Sequence, residues 1–389
     1  MASRVPARPA RLLAATGDPM QPRVMSGLPF HFHLYGTRAG VIDGTITQSP
    51  DPRRLRYERF AWNGWRIATG RSYGGHQYTR RRNEWCWRDL PVEPATVINI
   101  FQLYPQRVLS AGHIRRWYFI DQTLTQLFDA YGQSEQLSRG VVARTVAWER
   151  AGYECADHLI VNSNWAKASL VDDYGVDPQR ISIVLQAANF DVDAYEEWAV
   201  AGQPDDEDPD APLRLVFVGN DWRRKGLDRL IAALSRVNAG SVRCTLDVVG
   251  MRRDDVPRAM RDVAQVRWHG FIDKQHDQRR FLELVSSAHV GCLLSRAEAG
   301  GNCLREYHAL GLAVLGTTAG GAADQTLADA SWLVDVAEPV DEIADRLRWL
   351  AADRQEVQRR RAESWRRRKE VLWPATLAGV DEQLSDRGC

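Results

Sequence analysis

Residues 298 to 306 read EAGGNCLRE, two carboxylates, Glu298 and Glu306, with seven residues between them and with Gly300, Gly301 and Asn302 in the interval. Glycine has no side chain to obstruct a ligand, so the backbone here can be approached closely. If a helix starts near Gly301 and Asn302, its free N–H groups and dipole face back toward Glu298 and can receive a phosphate. Glu306 then falls in the first turns of that helix, in reach of whatever the phosphate carries. The pair alone says little, because glutamates at this spacing on helices are usually solvated charges. Its meaning depends on the elements that position it.

Those elements are legible on both sides. An apolar run, VGCLL, precedes the pair and an alanine-rich helical stretch, YHALGLAVLG, follows it. Further upstream stands LRLVFVGNDWRRKGLDRLIAAL, a β-branched run closing on Gly219, a polar loop with Arg223, Arg224 and Lys225, and a helix with Leu227, Leu230, Ile231 and Leu234 on one face. The basic triplet would supply positive charge to a phosphorylated ligand, or it is a solvated loop. The runs LRLVFVG, CTLDVVG, VRWHGFI, VGCLL, AVLG and WLVDV alternate with helical segments, which predicts parallel strands joined by crossover helices in a doubly wound sheet. From Val340 the pattern is helical to the end.

The stretch GQPDDEDPDAP, residues 202–212, could not enter a core and reads as an interdomain linker. Before it, TVINIF, RRWYFID, DHLIVNS and ISIVL are predicted strands, with helices over 122–131, 141–156 and 165–174. Residues 43–87 show little alternation and many Trp, Arg and Gly residues, and the pattern assigns them no element. No internal repeat is visible.

The stretch from Val290 to Ala322 resembles the donor-sugar site of family 4 glycosyltransferases, which have the GT-B fold. The run from Leu213 through Lys225 and Gly226 to its helix resembles the opening of that family's nucleotide-binding domain, and ECADHLIVNSNWAKASLVDDYGVDPQRISIV resembles the end of its first domain. The resemblance implies an α/β protein of two Rossmann-like, doubly wound domains facing a central cleft. Its boundaries would be an acceptor-binding domain over 1–204, a linker over 205–212 and a nucleotide-sugar domain over 213–360. A helical segment, 361–389, follows, with packing back on the N-terminal domain as one arrangement open to it.

The same resemblance distributes roles. Arg223, Arg224 and Lys225 would meet the donor diphosphate, Gly300, Gly301 and Asn302 the sugar and phosphate, and Glu306 the ribose hydroxyls. Glu298 would contact the transferred sugar near its reacting carbon, where a carboxylate stabilises an oxocarbenium-like transition state. The base would lie against Phe271 and Ile272, unless these are simply core. Ser295 and Arg296 would support Glu298 or serve only the fold. SGLPFHFHLYGTRAG, residues 26–40, resembles the family's first loop and helix.

Three positions depart from the family. Asn220 stands where Arg usually follows the strand-ending glycine, so Arg223 or Arg224 must take over that charge. Gly300 stands where Phe is usual, which predicts a roomier pocket. Asp121 stands where many members have a catalytic His; it could hold the sugar or the acceptor hydroxyl, or merely cap the helix beginning at Gln122.

Composition bounds the rest. The 389 residues suffice for two domains, and 44% hydrophobic with 26% charged residues describes a soluble globular chain without a membrane-spanning run. RLLAA is too short for a signal peptide. Cys86, Cys155, Cys244, Cys292, Cys303 and Cys389 lack metal-ligand spacing and read as reduced thiols, which places the protein in the cytoplasm. His76 and His113 have no spaced partner. Residues 1–120 carry 18 Lys and Arg against 7 Asp and Glu, while the whole chain is at +1. That basic half, with Arg80 to Arg82 beside Trp85 and Trp87, predicts an anionic acceptor or peripheral contact with an anionic membrane, or else a solvated face.

The expectation is thus a retaining glycosyltransferase taking a sugar from an NDP-sugar to a polysaccharide, lipid-linked or small-molecule acceptor. The NDP-sugar is a co-substrate, with no other cofactor and no metal, because no D-x-D-like pair is placed to hold one and lysine, arginine and a helix N-terminus supply the countercharge. The alternatives are another GT-B enzyme, such as a sugar-nucleotide epimerase or a glycogen-synthase-like polymerase, and a non-catalytic nucleotide-sugar or RNA-binding protein. Nucleic acid is the poorer partner, since no RNA-binding module surrounds the basic cluster. A nicotinamide-dependent dehydrogenase is disfavoured because no G-x-G-x-x-G follows a first strand.

Overall fold

The computed structural model describes residues 8–389 apart from 16–17, 23, 47–51, 71–73, 88–89, 203–210 and 242. Most of the linker expected over 205–212 therefore lies outside the described residues. The chain forms two compact units, one within Met1–Val184 and Leu377–Cys389, the other Leu185–Thr376.

In the first unit, strands β1 (Ala10–Ala14), β2 (Gly44–Ile46), β3 (Ala95–Asn99), β4 (Ile114–Ile120), β5 (His158–Val161) and β6 (Ile181–Ile183) form one parallel sheet in the order β2-β1-β3-β4-β5-β6. Strands β3 and β5 are buried along their whole length, as crossover helices on both faces require. The first two strands are ones the sequence pattern did not reveal. Strand β1 carries Arg11, a charge buried to 5% exposure because its guanidinium pairs with Asp381 at 2.7 Å and donates to the Cys389 carbonyl at 2.6 Å. Strand β2 has only three residues. Part of the region that had no assignment forms the helices Pro52–Ala68 and Arg80–Cys86, the latter capped by the Thr79 hydroxyl.

The helix after β4 runs Leu124–Ala130, not from Gln122. Its cap is Thr123, whose hydroxyl accepts from the Gln126 N–H while the Gln126 side chain accepts from the Thr123 N–H. Asp121 is therefore not the helix cap. The helices Arg139–Glu154 and Asn164–Asp172 lie within two residues of their predicted bounds. On the first of them Glu149 is wholly buried, accepting from the Leu124 N–H at 2.8 Å, the Tyr153 hydroxyl at 2.6 Å and the Tyr174 hydroxyl. Burial, only partly offset by these hydrogen bonds, pushes its carboxyl up to about 8.

In the second unit, β7 (Leu213–Val218), β8 (Cys244–Val249), β9 (Val266–Gly270), β10 (Val290–Leu293), β11 (Ala313–Thr317) and β12 (Ser331–Val334) pair in parallel, in the order β12-β11-β10-β7-β8-β9. All six match runs visible in the sequence. The order reverses between β7 and β10, and at such a switch point the loops leaving the two carboxyl ends diverge and open a crevice. The two loops are the ones that carry Lys225 and Glu298. Two six-stranded parallel sheets, each with its own helices, make the α/β pair of Rossmann-like units expected of GT-B.

Candidate functional site

The loop after β7 turns back through Gly226 into the helix Leu227–Val237. Gly226 has φ +73°, and a β-carbon there would stand 1.9 Å from the Leu294 carbonyl oxygen at the end of β10, so only glycine lets the two loops meet. The Arg296 N–H donates to the Arg224 carbonyl at 2.7 Å, and the Arg296 guanidinium holds both oxygens of Asp228 at 2.8 Å. Arg296 thus fastens one loop to the helix that follows the other.

Held in this way, the loops bring opposite charges together. Glu298 is 7% exposed. Its carboxylate lies 3.2 Å from the Arg224 guanidinium and 3.6 Å from Lys225 Nζ, and accepts from the Ser295 hydroxyl and the Gly301 N–H, each at 3.3 Å. Burial opposes its charge, but Lys225 and Arg224 outweigh that and hold the carboxyl below the ordinary glutamate range. Lys225 is the counterpart: burial disfavours its charge, and Glu298, together with Cys303 and Glu306, more than restores it. Glu298 is therefore an anion at neutral pH.

Gly301, in the left-handed conformation, precedes the helix Asn302–Ala309, and the N–H it gives to Glu298 is one that an incoming phosphate was expected to use. An anionic ligand entering here competes with Glu298 for Lys225, Arg224 and this helix end. Two cations shared by a fixed carboxylate can turn to a diphosphate without leaving the site, and the carboxylate is then able to accept hydroxyl hydrogen bonds.

Glu306, 3% exposed, lies at the start of the second turn of that helix, and its carboxylate forms an ion pair with Lys274. Lys274 stands in the loop after β9, with its ammonium 5.1 Å from the Phe281 ring centre and 5.5 Å from that of Phe190. In the same loop Phe271 is 67% exposed, whereas Ile272 is buried in the core and could meet a base only through its backbone.

The structure thus gathers Arg224, Lys225, Ser295, Glu298 and Gly301 into one cluster. Arg223 is not part of it: it is exposed and contributes its carbonyl to Arg296, so of the two arginines named to replace the residue missing at Asn220, Arg224 carries the contact. Asn302 is the first residue of the helix. Asp121 belongs to the other unit, just past the end of β4.

Around Gly300 the expectation of a roomier pocket is corrected. A β-carbon at Gly300 would stand 2.5 Å from the side-chain oxygen of Gln186, so that glutamine fills the space. Gln186 is 3% exposed, with its carbonyl accepting from the Arg305 guanidinium at 2.8 Å. Lys274, Gln186 and Arg305 were not found by sequence. Only Lys274 had a signal, a charge just past the end of a predicted strand.

Residues 212–353 match the family described as glycosyl transferases group 1. This stretch lies within the second unit and contains the whole Glu298 cluster. The fold of the chain is similar to sucrose-phosphate synthase from Thermosynechococcus elongatus, at 15% identity and TM-score 0.65, covering 98% of this chain and 99% of that one. It is also similar to WaaG, a glycosyltransferase involved in lipopolysaccharide biosynthesis, at 16% identity and TM-score 0.63, covering 95% and 98%. Anabaena HepE, solved in complex with UDP and glucose, shares 12% identity over 97% and 99% of the two chains, with TM-score 0.58. No curated protein sequence matches the chain. At these identities the likeness to solved structures is one of fold. The family match over 212–353, joined to that fold, supports a glycosyltransferase.

Proposed function

We propose that the protein transfers a sugar from a nucleotide diphosphate donor to an acceptor with retention of anomeric configuration, and without a bound metal. The observation that carries this reading is the Glu298 carboxylate set between Arg224, Lys225 and the Gly301 N–H, at the switch point of the sheet within the stretch that matches the group 1 family. Arg224 and Lys225 take the leaving diphosphate, Glu298 faces the transferred sugar, Glu306 binds the ribose hydroxyls and Phe271 packs on the base. The UDP complex of HepE makes uridine diphosphate sugars the first donors to try. A glycan or lipid-linked acceptor, met by the basic first 120 residues, belongs to the same proposal, as does a peripheral place on the cytoplasmic face of a membrane.

The test is a thermal-shift panel of UDP-, GDP-, ADP- and dTDP-sugars, since a ligand that binds only the folded state raises Tm. Transfer from the donor so found is then followed by NMR of the product anomeric proton, with and without EDTA. Binding without transfer or hydrolysis would make the protein a nucleotide-sugar binder. An inverted product, or activity lost to EDTA and restored by Mg²⁺, would overturn the mechanism.

A further inference from the structure

The helix Pro52–Ala68 presents an apolar stripe to solvent. Tyr57, Phe60, Gly64 and Ile67 follow at spacings of three, four and three, which places them on one face. Tyr57 is 73% exposed, Phe60 77% and Ile67 64%. The residues facing the other way fasten the helix to its own unit: Trp62 Nε1 donates to the Gly74 carbonyl at 2.9 Å, Asn63 accepts from the Gly74 N–H at 3.2 Å, and Arg66 donates to the Ser138 hydroxyl at 3.2 Å. The stripe is thus the face left over once the helix has docked.

Charge says what covers it. The helix has five arginines and one glutamate, and Arg53, Arg54, Arg56 and Arg59 are all exposed in its first two turns. Arg53, Arg56 and Arg59 line an open groove with Tyr57, Phe60 and Asn63. Large apolar side chains in contiguous exposure mark an interaction site, and a row of arginines beside them, outnumbering the single Glu58 that Arg54 meets at 3.3 Å, suits an anionic partner. A second copy of this chain would bring arginine against arginine across a two-fold axis. An anionic bilayer offers phosphates at the level of the arginines and hydrocarbon just below them, and Tyr, Trp and Arg suit that boundary. Among the described residues no helix is long and apolar enough to cross a membrane.

We propose that the helix Pro52–Ala68 is an interfacial anchor: it lies on an anionic bilayer with Tyr57, Phe60 and Ile67 entering the headgroup layer and Arg53, Arg54, Arg56 and Arg59 on lipid phosphates. This deepens the peripheral membrane placement proposed above, on which it rests, and is independent of the donor-site reading, since no residue of the helix belongs to that site.

The experiment is co-sedimentation of the full chain with vesicles of dioleoylphosphatidylcholine, alone or mixed with dioleoylphosphatidylglycerol. The wild-type protein should partition to the mixed vesicles only, less so as salt rises. The variant Tyr57→Ser, Phe60→Ser, Ile67→Ser should partition at least about tenfold more weakly, because electrostatics alone does not hold a helix in the interface. These side chains point outward, so its Tm should match the parent. Hydrogen exchange of wild-type segment 52–68, slowed by the mixed vesicles and not by the neutral ones, reads the same contact without substitution. Wild-type protein left in the supernatant, a serine variant that binds as the parent does, or exchange over 52–68 unaltered by mixed vesicles overturns the proposal. So does vesicle-free dimerisation that the serine substitutions abolish. NDP-sugar binding by the serine variant, measured separately, keeps this outcome distinct from that of the donor site.

Discussion

The side-chain oxygen of Gln186 stands 2.5 Å from where a β-carbon at Gly300 would be. Neither residue explains the other in sequence, yet the volume of one sets the size allowed to the other. Gly300→Ala should cost little, because the far end of a flexible side chain can move aside. Gly300→Phe forces out the whole glutamine and should cost about 1–3 kcal/mol of stability. Adding Gln186→Ala should return most of that loss. A double-mutant cycle in urea measures the coupling, and additive costs, within about 0.5 kcal/mol, would show that the two do not share one space.

The donor cluster is tested by Lys225→Ala and Glu306→Ala. Each should lower kcat/KM by about 2–4 kcal/mol of transition-state stabilisation if the first meets phosphate and the second ribose. Lys225→Ala also leaves the buried Glu298 with one cation fewer, so its Tm must be recorded beside its kinetics. Activity within about twofold of the parent for both variants would remove them from the site.

Removing Lys274 separates two parts it could play at Glu306. If the pair only neutralises a buried carboxylate, Lys274→Met should lower Tm and leave the affinity for nucleotide diphosphate unchanged. If Lys274 also meets the ligand, the affinity should fall by about tenfold, the effect of one charge-assisted hydrogen bond. Calorimetric titration with UDP, or with whichever nucleotide the donor panel selects, decides between them.

Asp121 is free of the capping role, since Thr123 holds it. Thr123→Ala should therefore cost about 1 kcal/mol of stability. Asp121→Asn should leave Tm near that of the parent, and if the carboxylate touches sugar or acceptor it should lower turnover strongly. Near-normal turnover would take Asp121 out of the chemistry.

Glu149 makes the first unit sensitive to alkali. Its folded pKa of about 8 lies above the ordinary 4.5, so the protonated form is the one the fold prefers. Its stabilising share is complete below pH 4.5 and is lost as pH rises through 8. Between pH 6 and pH 9 the parent should lose about 3 kcal/mol more than Glu149→Gln, which keeps the shape and cannot ionise. Parallel Tm curves for the two proteins across that range would show that Glu149 carries no such linkage.

The sequence by itself determined the second unit almost strand for strand, because buried parallel strands are unbroken apolar runs and the loops between them are polar. Lys225 and Glu298 were legible for the same reason, each lying in a loop that leaves the end of such a run. The capping box at Thr123 and Gln126 is also a local pattern, legible in the T-x-x-Q spacing. Tertiary structure alone decided the rest. Strand β1 hides Arg11, whose charge breaks the apolar pattern and is satisfied by residues at the other end of the chain. The pairing of Lys274 with Glu306, and of Gln186 with Gly300, joins segments far apart in sequence that no local pattern links. The outward stripe of Tyr57, Phe60 and Ile67 is the converse case. The sequence pattern assigns that region no element, and only the packing of Trp62, Asn63 and Arg66 shows that this apolar face is the one turned to solvent.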